Sequence, residues 1–295
     1  MLYGKKKGRS RIMKVLGLVG SVRKSGNTEI LTKEALMGAE AEGATVEILR
    51  LTDFEVKPCR GCAACLFREE GCVIEDDANK IFAAMAASDG IILGVPCYIL
   101  EATAIVKQLI DRGFAPMQQN TVRGKVGGVI VPYATRGWTQ NAFQQTNTWL
   151  LSLGVEVIDQ LLIHVQGISE APLFPRDIER AHTLGKRVAQ AIKSGDHTYH
   201  GEAGICPICH DRNLRILQDM ETVECPVCAV RGTLKVEGKK IKVMFTDEAI
   251  KRHRWSVENL QRHFNYHLKP SKDFFIKTKE ERKKLAGKYK SYLEG

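Results

Sequence analysis

Between Lys14 and Lys193 the chain passes five times from an apolar run into a helical pattern, and this alternation limits the fold more than any other feature of the sequence. Lys14–Val19, Ala44–Leu51, Gly90–Val95, Lys125–Val131 and Glu156–Ile163 read as strands. In the second, Val46, Ile48 and Leu51 are interspersed with polar residues; the third, GIILGV, is apolar throughout, as expected of a strand covered on both faces. Glu29–Ala41, Ala78–Ala87, Ala104–Arg112, Thr139–Leu153 and Asp177–Lys193 read as helices. Ile105, Leu109 and Ile110 share one side of the third helix, and Ile178, Leu184, Val188 and Ile192 lie roughly on one face of the last. Asp76 or Asp77 is placed to cap the second by accepting from free backbone N–H groups. Strands alternating with helices predict an α/β domain with a parallel, doubly wound sheet.

The chain has 295 residues, enough for more than one domain, and its 44% apolar and 26% charged residues describe a globular protein rather than a disordered one. No apolar run reaches the roughly 18 residues needed to span a bilayer. The opening MLYGKKKGRSRIMKVLGLVG imitates a secretory leader, but its apolar stretch is short, is interrupted by Lys14 and lacks a small-x-small cleavage site. It is expected to be a tail followed by a first strand, in a cytoplasmic protein. The net charge of +10 is uneven: residues 1–14 carry +6, residues 247–295 carry +6, and the rest is slightly acidic. Basic tails can meet nucleic acid or an acidic protein, or simply be solvated.

The expected organisation is a basic N-terminal tail (1–12), the α/β domain (13–194) with a cysteine loop at 58–73, a Gly- and His-rich linker (195–204), a small metal-knuckle module (205–246) and a basic helical tail (247–295) broken at Pro270. Short β-like runs, Leu234–Val236 and Ile241–Phe245, belong to the module.

In open α/β sheets ligands bind beyond the carboxyl ends of the strands. Three loops leave the sheet there. GSVRKSGNT (Gly20–Thr28) joins a strand to a helix N-terminus; its small residues let backbone N–H groups approach a phosphate, with Ser21, Arg23, Asn27 and Thr28 as further donors. It lacks the dinucleotide pattern G-x-G-x-x-G and suits a terminal phosphomonoester such as that of FMN. Pro96-Cys97-Tyr98 offers an aromatic that can stack on an isoalloxazine ring or simply edge the core. In Tyr133–Trp138, Gly137 permits close backbone approach and Arg136 can hold a phosphate, lie near the ring or be solvated.

Eight of nine cysteines fall into two groups of four. Cys59, Cys62, Cys65 and Cys72 form C-x2-C-x2-C-x6-C, a compact run suited to a [4Fe–4S] cluster, with zinc or a metal-free or disulfide-forming loop as alternatives. Cys206, Cys209, Cys225 and Cys228 form C-x2-C-x15-C-x2-C, the spacing of a tetrahedral thiolate site. A zinc ribbon is favoured, because few apolar residues there could form a core; a rubredoxin-like iron uses the same ligands. Cys97 is left over and reads as a small apolar residue. His210 reads as a neighbour of the metal rather than a ligand, and His263 and His267 as a solvated helix face beside Phe264 and Tyr266.

GSVRKSGNT, C-x2-C-x2-C…CVIEDD and GIILGVPCY with IVKQLIDR together resemble the NADPH-dependent FMN reductase and iron–sulfur flavoprotein family, over roughly residues 13–193. The resemblance implies a flavodoxin-like sheet of order 2-1-3-4-5 that binds FMN, with Ser21, Arg23, Gly26, Asn27 and Thr28 around the phosphate, and Pro96, Cys97, Tyr98, Ala134, Thr135, Arg136 and Gly137 around the ring. It also implies a homodimer or tetramer and NAD(P)H as donor, although no loop carries a nicotinamide fingerprint. The function expected first is an FMN oxidoreductase in which the flavin exchanges electrons with the cluster. The second is an electron-transfer protein that docks a ferredoxin-like partner. The third, a redox-sensing nucleic-acid binder, is disfavoured by the near-neutral body.

Overall fold

The computed structural model describes residues 12–68, 70–287 and 289. The N-terminal basic tail expected at 1–12 falls outside them except for its last residue, as does the end of the C-terminal tail from 290 onward. The α/β domain runs β1 (Lys14–Val19), α1 (Asn27–Ala41), β2 (Thr45–Arg50), α2 (Ala78–Ala87) and β3 (Gly90–Gly94). A small hairpin, β4 (Cys97–Tyr98) and β5 (Glu101–Ala102), then precedes α3 (Ala104–Arg112), α4 (Phe114–Gln119), β6 (Val126–Tyr133), α5 (Ala142–Ser152), β7 (Glu156–His164) and α6 (Pro175–Ser194). The main sheet is parallel, in the order β2-β1-β3-β6-β7, so its five strands taken in chain order run 2-1-3-4-5, the flavodoxin-like arrangement.

Period-two side-chain alternation builds a core on each face. Leu16, Leu18, Ile91, Leu93, Val129 and Val131 point to the side packed by Ile81, Met85, Leu109 and Trp149. Val15, Ile92, Ile130 and Ile158 point to the side packed by Leu31, Ala35, Leu184 and Val188. On that second side α1 and α6 cross so closely that a Cβ on Gly185 would stand 1.6 Å from the carbonyl oxygen of Ala35, and one on Gly38 2.0 Å from that of His182. Both positions therefore need glycine.

Beyond α6 lies a four-stranded antiparallel sheet, β11-β10-β9-β8, made of β8 (Arg215–Ile216), β9 (Thr222–Glu224), β10 (Arg231–Glu237) and β11 (Lys240–Met244). It is docked on the α/β domain. The backbone oxygen of Cys209 accepts from Asn147 Nδ2 at 3.1 Å and Gln160 Nε2 at 3.0 Å, and Leu151 joins the module's core. Residues 195–204 contain no helix or strand, but the segment runs beside β7, with the N–H of His200 donating to the oxygen of Ile158 at 2.7 Å.

The chain ends in α7 (Asp247–Lys251), α8 (Val257–Arg262), a π-helical stretch (His263–Leu268), α9 (Lys269–Lys277) and α10 (Lys279–Gly287). The break expected at Pro270 is absent. Pro270 stands in the first turn of α9, where its missing N–H costs little, and the irregularity precedes it as the π-helical stretch. Phe264 is buried with its ring edge-on to Phe114, whereas Tyr266 is exposed. Among the described residues no helix is long and apolar enough to cross a membrane.

Candidate functional site

The carboxyl ends of β1, β3 and β6 open onto a cavity of about 180 Å³. Ser21, Arg23, Gly26, Asn27 and Thr28 wall one end; Pro96, Cys97, Tyr98 and Ala134 wall the other, together with Pro132, Tyr133, Val165 and Gln166. Thr135, Arg136 and Gly137 follow Ala134 in the same loop but are exposed and do not line the cavity. Gly137 turns the loop with a left-handed φ of 76°, and its oxygen accepts from Gln140 Nε2 at 2.7 Å.

Gly26 precedes α1 without a side-chain cap, and the N–H groups of Asn27, Thr28 and Glu29 have no acceptor among the described residues. Three orphan donors at a helix N-terminus, aided by the helix dipole, make an anion site. Ser21 is buried, and its Oγ accepts from the Arg23 N–H at 3.3 Å, which leaves the hydroxyl proton for another acceptor. The Asn27 carboxamide is already engaged, donating to Gly167 O at 2.7 Å and accepting from the Ala171 N–H at 2.9 Å. Asn27 therefore offers an anion its backbone N–H, while its side chain fixes the facing loop.

Arg50, at the end of β2, is a further part of this site that the sequence reading missed. Its guanidinium donates to the oxygens of Arg23 (3.3 Å), Val22 (3.1 Å) and Ser21 (3.5 Å) and to Glu29 Oε2 (2.5 Å), and Thr52 Oγ1 donates to Ser21 O at 3.2 Å. The loop's carbonyls are thereby held back and its N–H groups turned toward the cavity. Burial alone would raise the Glu29 carboxyl, but Lys33, the Ser25 N–H and Arg50 hold it below its ordinary value. A signal was present: an acid in the first turn beside an anion site is tolerable only when a cation neutralises it.

At the other end, the β4–β5 turn places Ile99 (φ 45°) and Leu100 (φ 72°) in the left-handed region. Two-residue hairpin turns of this kind normally use Asn-Gly, and a β-branched residue there is strained. The turn is held by the Asn141 N–H, which donates to Leu100 O at 2.9 Å, and by Cys97 Sγ, 3.2 Å from Trp138 O. Burial raises the Cys97 thiol, which stays protonated. Tyr98, 47% exposed, and Tyr133 give the cavity an aromatic rim, beside the exposed Ile99 and Trp138. Orphan donors at one end and an aromatic rim at the other fit a phosphate and a planar ring system, the two ends of FMN.

The first cysteine group occupies the irregular loop between β2 and α2. Cys59 and Cys62 are exposed, and Cys65 and Cys72 half-buried. Burial raises the Cys65 thiol, as do the nearby sulfurs of Cys72, Cys59 and Cys62, so the four share one neighbourhood. Beneath them Arg112 and Asp76 form a buried pair, with Arg112 Nη2 2.9 Å from Asp76 Oδ1. Arg112 Nη1 donates to Lys57 O at 2.8 Å, and Asp76 accepts from the N–H groups of Lys57 (2.8 Å) and Ala78 (3.1 Å). Asp76, rather than Asp77, is therefore the side chain that satisfies the start of α2. The pair ties the incoming limb of the loop to the outgoing one, and the nearby Cys72 also raises the same guanidinium.

The second group is organised differently. All four sulfurs are buried and lie within 4.8 Å of one another. Cys209 Sγ and Cys225 Sγ are 3.5 Å apart, near the roughly 3.8 Å expected around a tetrahedral ion with bonds of about 2.3 Å. The two knuckles repeat each other. The His210 N–H donates to Cys206 O at 3.0 Å and the Ala229 N–H to Cys225 O at 2.8 Å, with His210 and Ala229 at φ 57° and 55°. The Cys206 and Cys225 N–H groups donate to Asp211 O and Val230 O, both at 3.0 Å. The mutual hydrogen bonds of the four sulfurs lower Cys225 and raise Cys209 and Cys228 from the ordinary thiol range. This preformed set of four converged sulfurs fits one metal ion. His210 is not part of it; its ring stacks on Tyr199, with centroids 3.4 Å apart.

Comparison with known proteins agrees with this geometry. The family model described as NADPH-dependent FMN reductase matches residues 13–168. An iron–sulfur flavoprotein of Methanocaldococcus jannaschii is 37% identical over 191 residues, covering 61% of this chain and 98% of that protein. A flavone synthase of Aspergillus candidus is 26% identical over 261 residues, 76% of this chain and 79% of its own length. A solved flavone reductase shares the fold along nearly the whole chain, with a TM-score of 0.79 at 23% identity over 96% of this chain and 99% of that one.

Proposed function

The chain belongs to the NADPH-dependent FMN reductase family, and on that premise we propose that it is an FMN oxidoreductase that takes electrons from NAD(P)H or a low-potential donor and exchanges them with a [4Fe–4S] cluster on Cys59, Cys62, Cys65 and Cys72. The observation that carries this reading is the group of unpartnered N–H donors at the start of α1, facing a cavity whose far rim is aromatic. Bound there, FMN supplies a ring that accepts a hydride and releases electrons singly. The chain's own part is positional. Asn27, Thr28 and Glu29 present N–H groups to the phosphate, Ser21 adds a hydroxyl and Arg23 a charge. Arg50 orients the loop, and the strained β4–β5 turn holds Tyr98 beside the ring.

With Cys59 and Cys62 exposed, one edge of the proposed cluster would lie at the surface, where single electrons can enter or leave. Zinc at Cys206, Cys209, Cys225 and Cys228 serves as the core of the second module; iron in that set would make it a rubredoxin-like relay. A homodimer or tetramer is the assembly that goes with this reading.

A second reading, reduction of a planar organic acceptor, is favoured by the open aromatic rim and by the relative named a flavone synthase. Anaerobic purification tests both. Flavin absorbance with four irons and one zinc per chain supports the first. Flavin without iron, together with NAD(P)H-dependent reduction of a flavone, supports the second. A chain that stays colourless after incubation with FMN refutes both.

A further inference from the structure

A second and larger cavity, of about 570 Å³, lies at the junction of the two modules. Its walls come from the amino ends of β6 and β7, the segment beside β7, the first knuckle and the stretch between α7 and α8. It is remote from the flavin cleft: β6, eight residues long, spans about 26 Å at 3.3 Å per residue, and the two cavities lie toward its opposite ends.

The chemistry of this junction is unbalanced. Arg123 is half-buried and folds over Gly154, with Nε donating to Asn120 Oδ1 at 2.7 Å. Its two terminal nitrogens have no acceptor among the described residues. The sole acidic side chain in the lining, Glu156, is engaged by His197 Nδ1 at 2.6 Å. His253 Nδ1 and Trp255 Nε1 are buried without a partner. Burial and the nearby Arg123 charge keep the His253 imidazole below its ordinary range, so these two basic groups face one another with no carboxylate between them. Val157, Ile208 and the Trp255 indole add apolar surface, beside Tyr199, His210 and Ser256. The buried, unpartnered His253 Nδ1 and Trp255 Nε1 are costly unless a ligand satisfies them, and the Arg123 terminal nitrogens leave a positive charge open to an anion.

We propose that this junction binds a planar aromatic molecule bearing a carboxylate or phosphate, with the anionic group between Arg123 and His253 and the ring against Trp255. Such a ligand ties the metal module to the sheet at a site separate from the flavin. The probes are salicylate and phenyl phosphate, titrated calorimetrically into the full chain carrying its flavin and metals. One or both bind saturably at one per chain; the tighter of the two identifies the anion.

Arg123→Gln weakens that binding at least tenfold and Arg123→Lys less, while flavin and metal contents stay unchanged. Trp255→Leu weakens it by a similar factor and serves as the check should Arg123→Gln fold poorly. Absence of saturable binding of both probes overturns the proposal. Affinities unchanged in Arg123→Gln overturn it as well, because the probe then sits elsewhere, on the flavin cleft for example.

Discussion

The two cysteine quartets have the same number of sulfurs and opposite surroundings. At the C-terminal quartet, backbone hydrogen bonds repeat across two knuckles, and the sulfurs are buried and converged before any ion is considered. At the quartet between β2 and α2, two cysteines are exposed, and the order resides below them, in the buried Arg112–Asp76 pair that clamps the loop's limbs. A single tetrahedral ion demands a small, closed cage, and the C-terminal quartet offers one at the centre of a small core that it forms with Leu151, Val227 and Val230. The proposed cluster would bring its own bulk and need only a loop anchored at both ends. With the proposed metals bound, the C-terminal site therefore supports folding, and the β2–α2 site is supported by a fold that already exists.

That contrast can be broken by experiment. The largest effect is expected from stripping the C-terminal site, with a strong chelator or by Cys225→Ser. Apparent metal-binding free energies in such modules reach about 10–16 kcal/mol, so β8–β11 should lose hydrogen-exchange protection while the flavin domain keeps its own. Retained protection in β8–β11 would show that docking on Asn147 and Gln160 holds the module without metal.

Arg112→Met should cost about 3–5 kcal/mol in denaturant titration, because it leaves the Asp76 carboxylate buried and unpaired; Arg112→Met with Asp76→Leu should recover much of the loss. Acid provides a third test. Burial raises the Asp76 carboxyl, but Arg112 and the N–H groups of Lys57 and Ala78 outweigh it and leave it below its ordinary 3.8. A carboxyl lowered by folding contributes stability that is complete above its unfolded value and lost as pH falls through its folded one. Thermal unfolding should therefore show a loss below about pH 4 that Asp76→Asn reduces.

Asn147→Ala removes one bond to Cys209 O, and the docked module should loosen by about 1 kcal/mol, read as faster exchange in residues 205–213. The smallest effect on stability is expected from Cys59→Ser, within about 0.5 kcal/mol because the side chain is exposed. The same variant should lose iron while retaining flavin and the C-terminal metal. A large fall in stability with Cys59→Ser would erase the distinction between the two quartets.

Strand and helix positions and the cysteine groupings were legible in the sequence because each rests on local periodicity or spacing, whereas the order of the main sheet came from the family resemblance. Ala78–Ala87 and Ala104–Arg112 coincide with observed helices to the residue. The strong punctuation expected of Pro270 misled, because a proline in the first turn of a helix and a proline that ends one look the same without knowledge of the start. Residues 195–204 have a linker's composition, yet they follow β7, because an edge strand leaves backbone groups that a neighbouring segment can pair.

The amino-acid order alone determined that two thiolate sets exist and that a small-residue loop meets a helix N-terminus at the sheet's carboxyl end. Local rules suffice there, since ligand spacing and strand–helix junctions are short-range properties. Tertiary structure alone decided that Arg50 reaches back 27 residues to hold Arg23 O, that the Asn27 carboxamide is spent on the 167–171 loop, and that Arg112 lies under Cys72. These contacts join positions far apart in the chain, and no periodicity or motif encodes a meeting that depends on how whole elements pack.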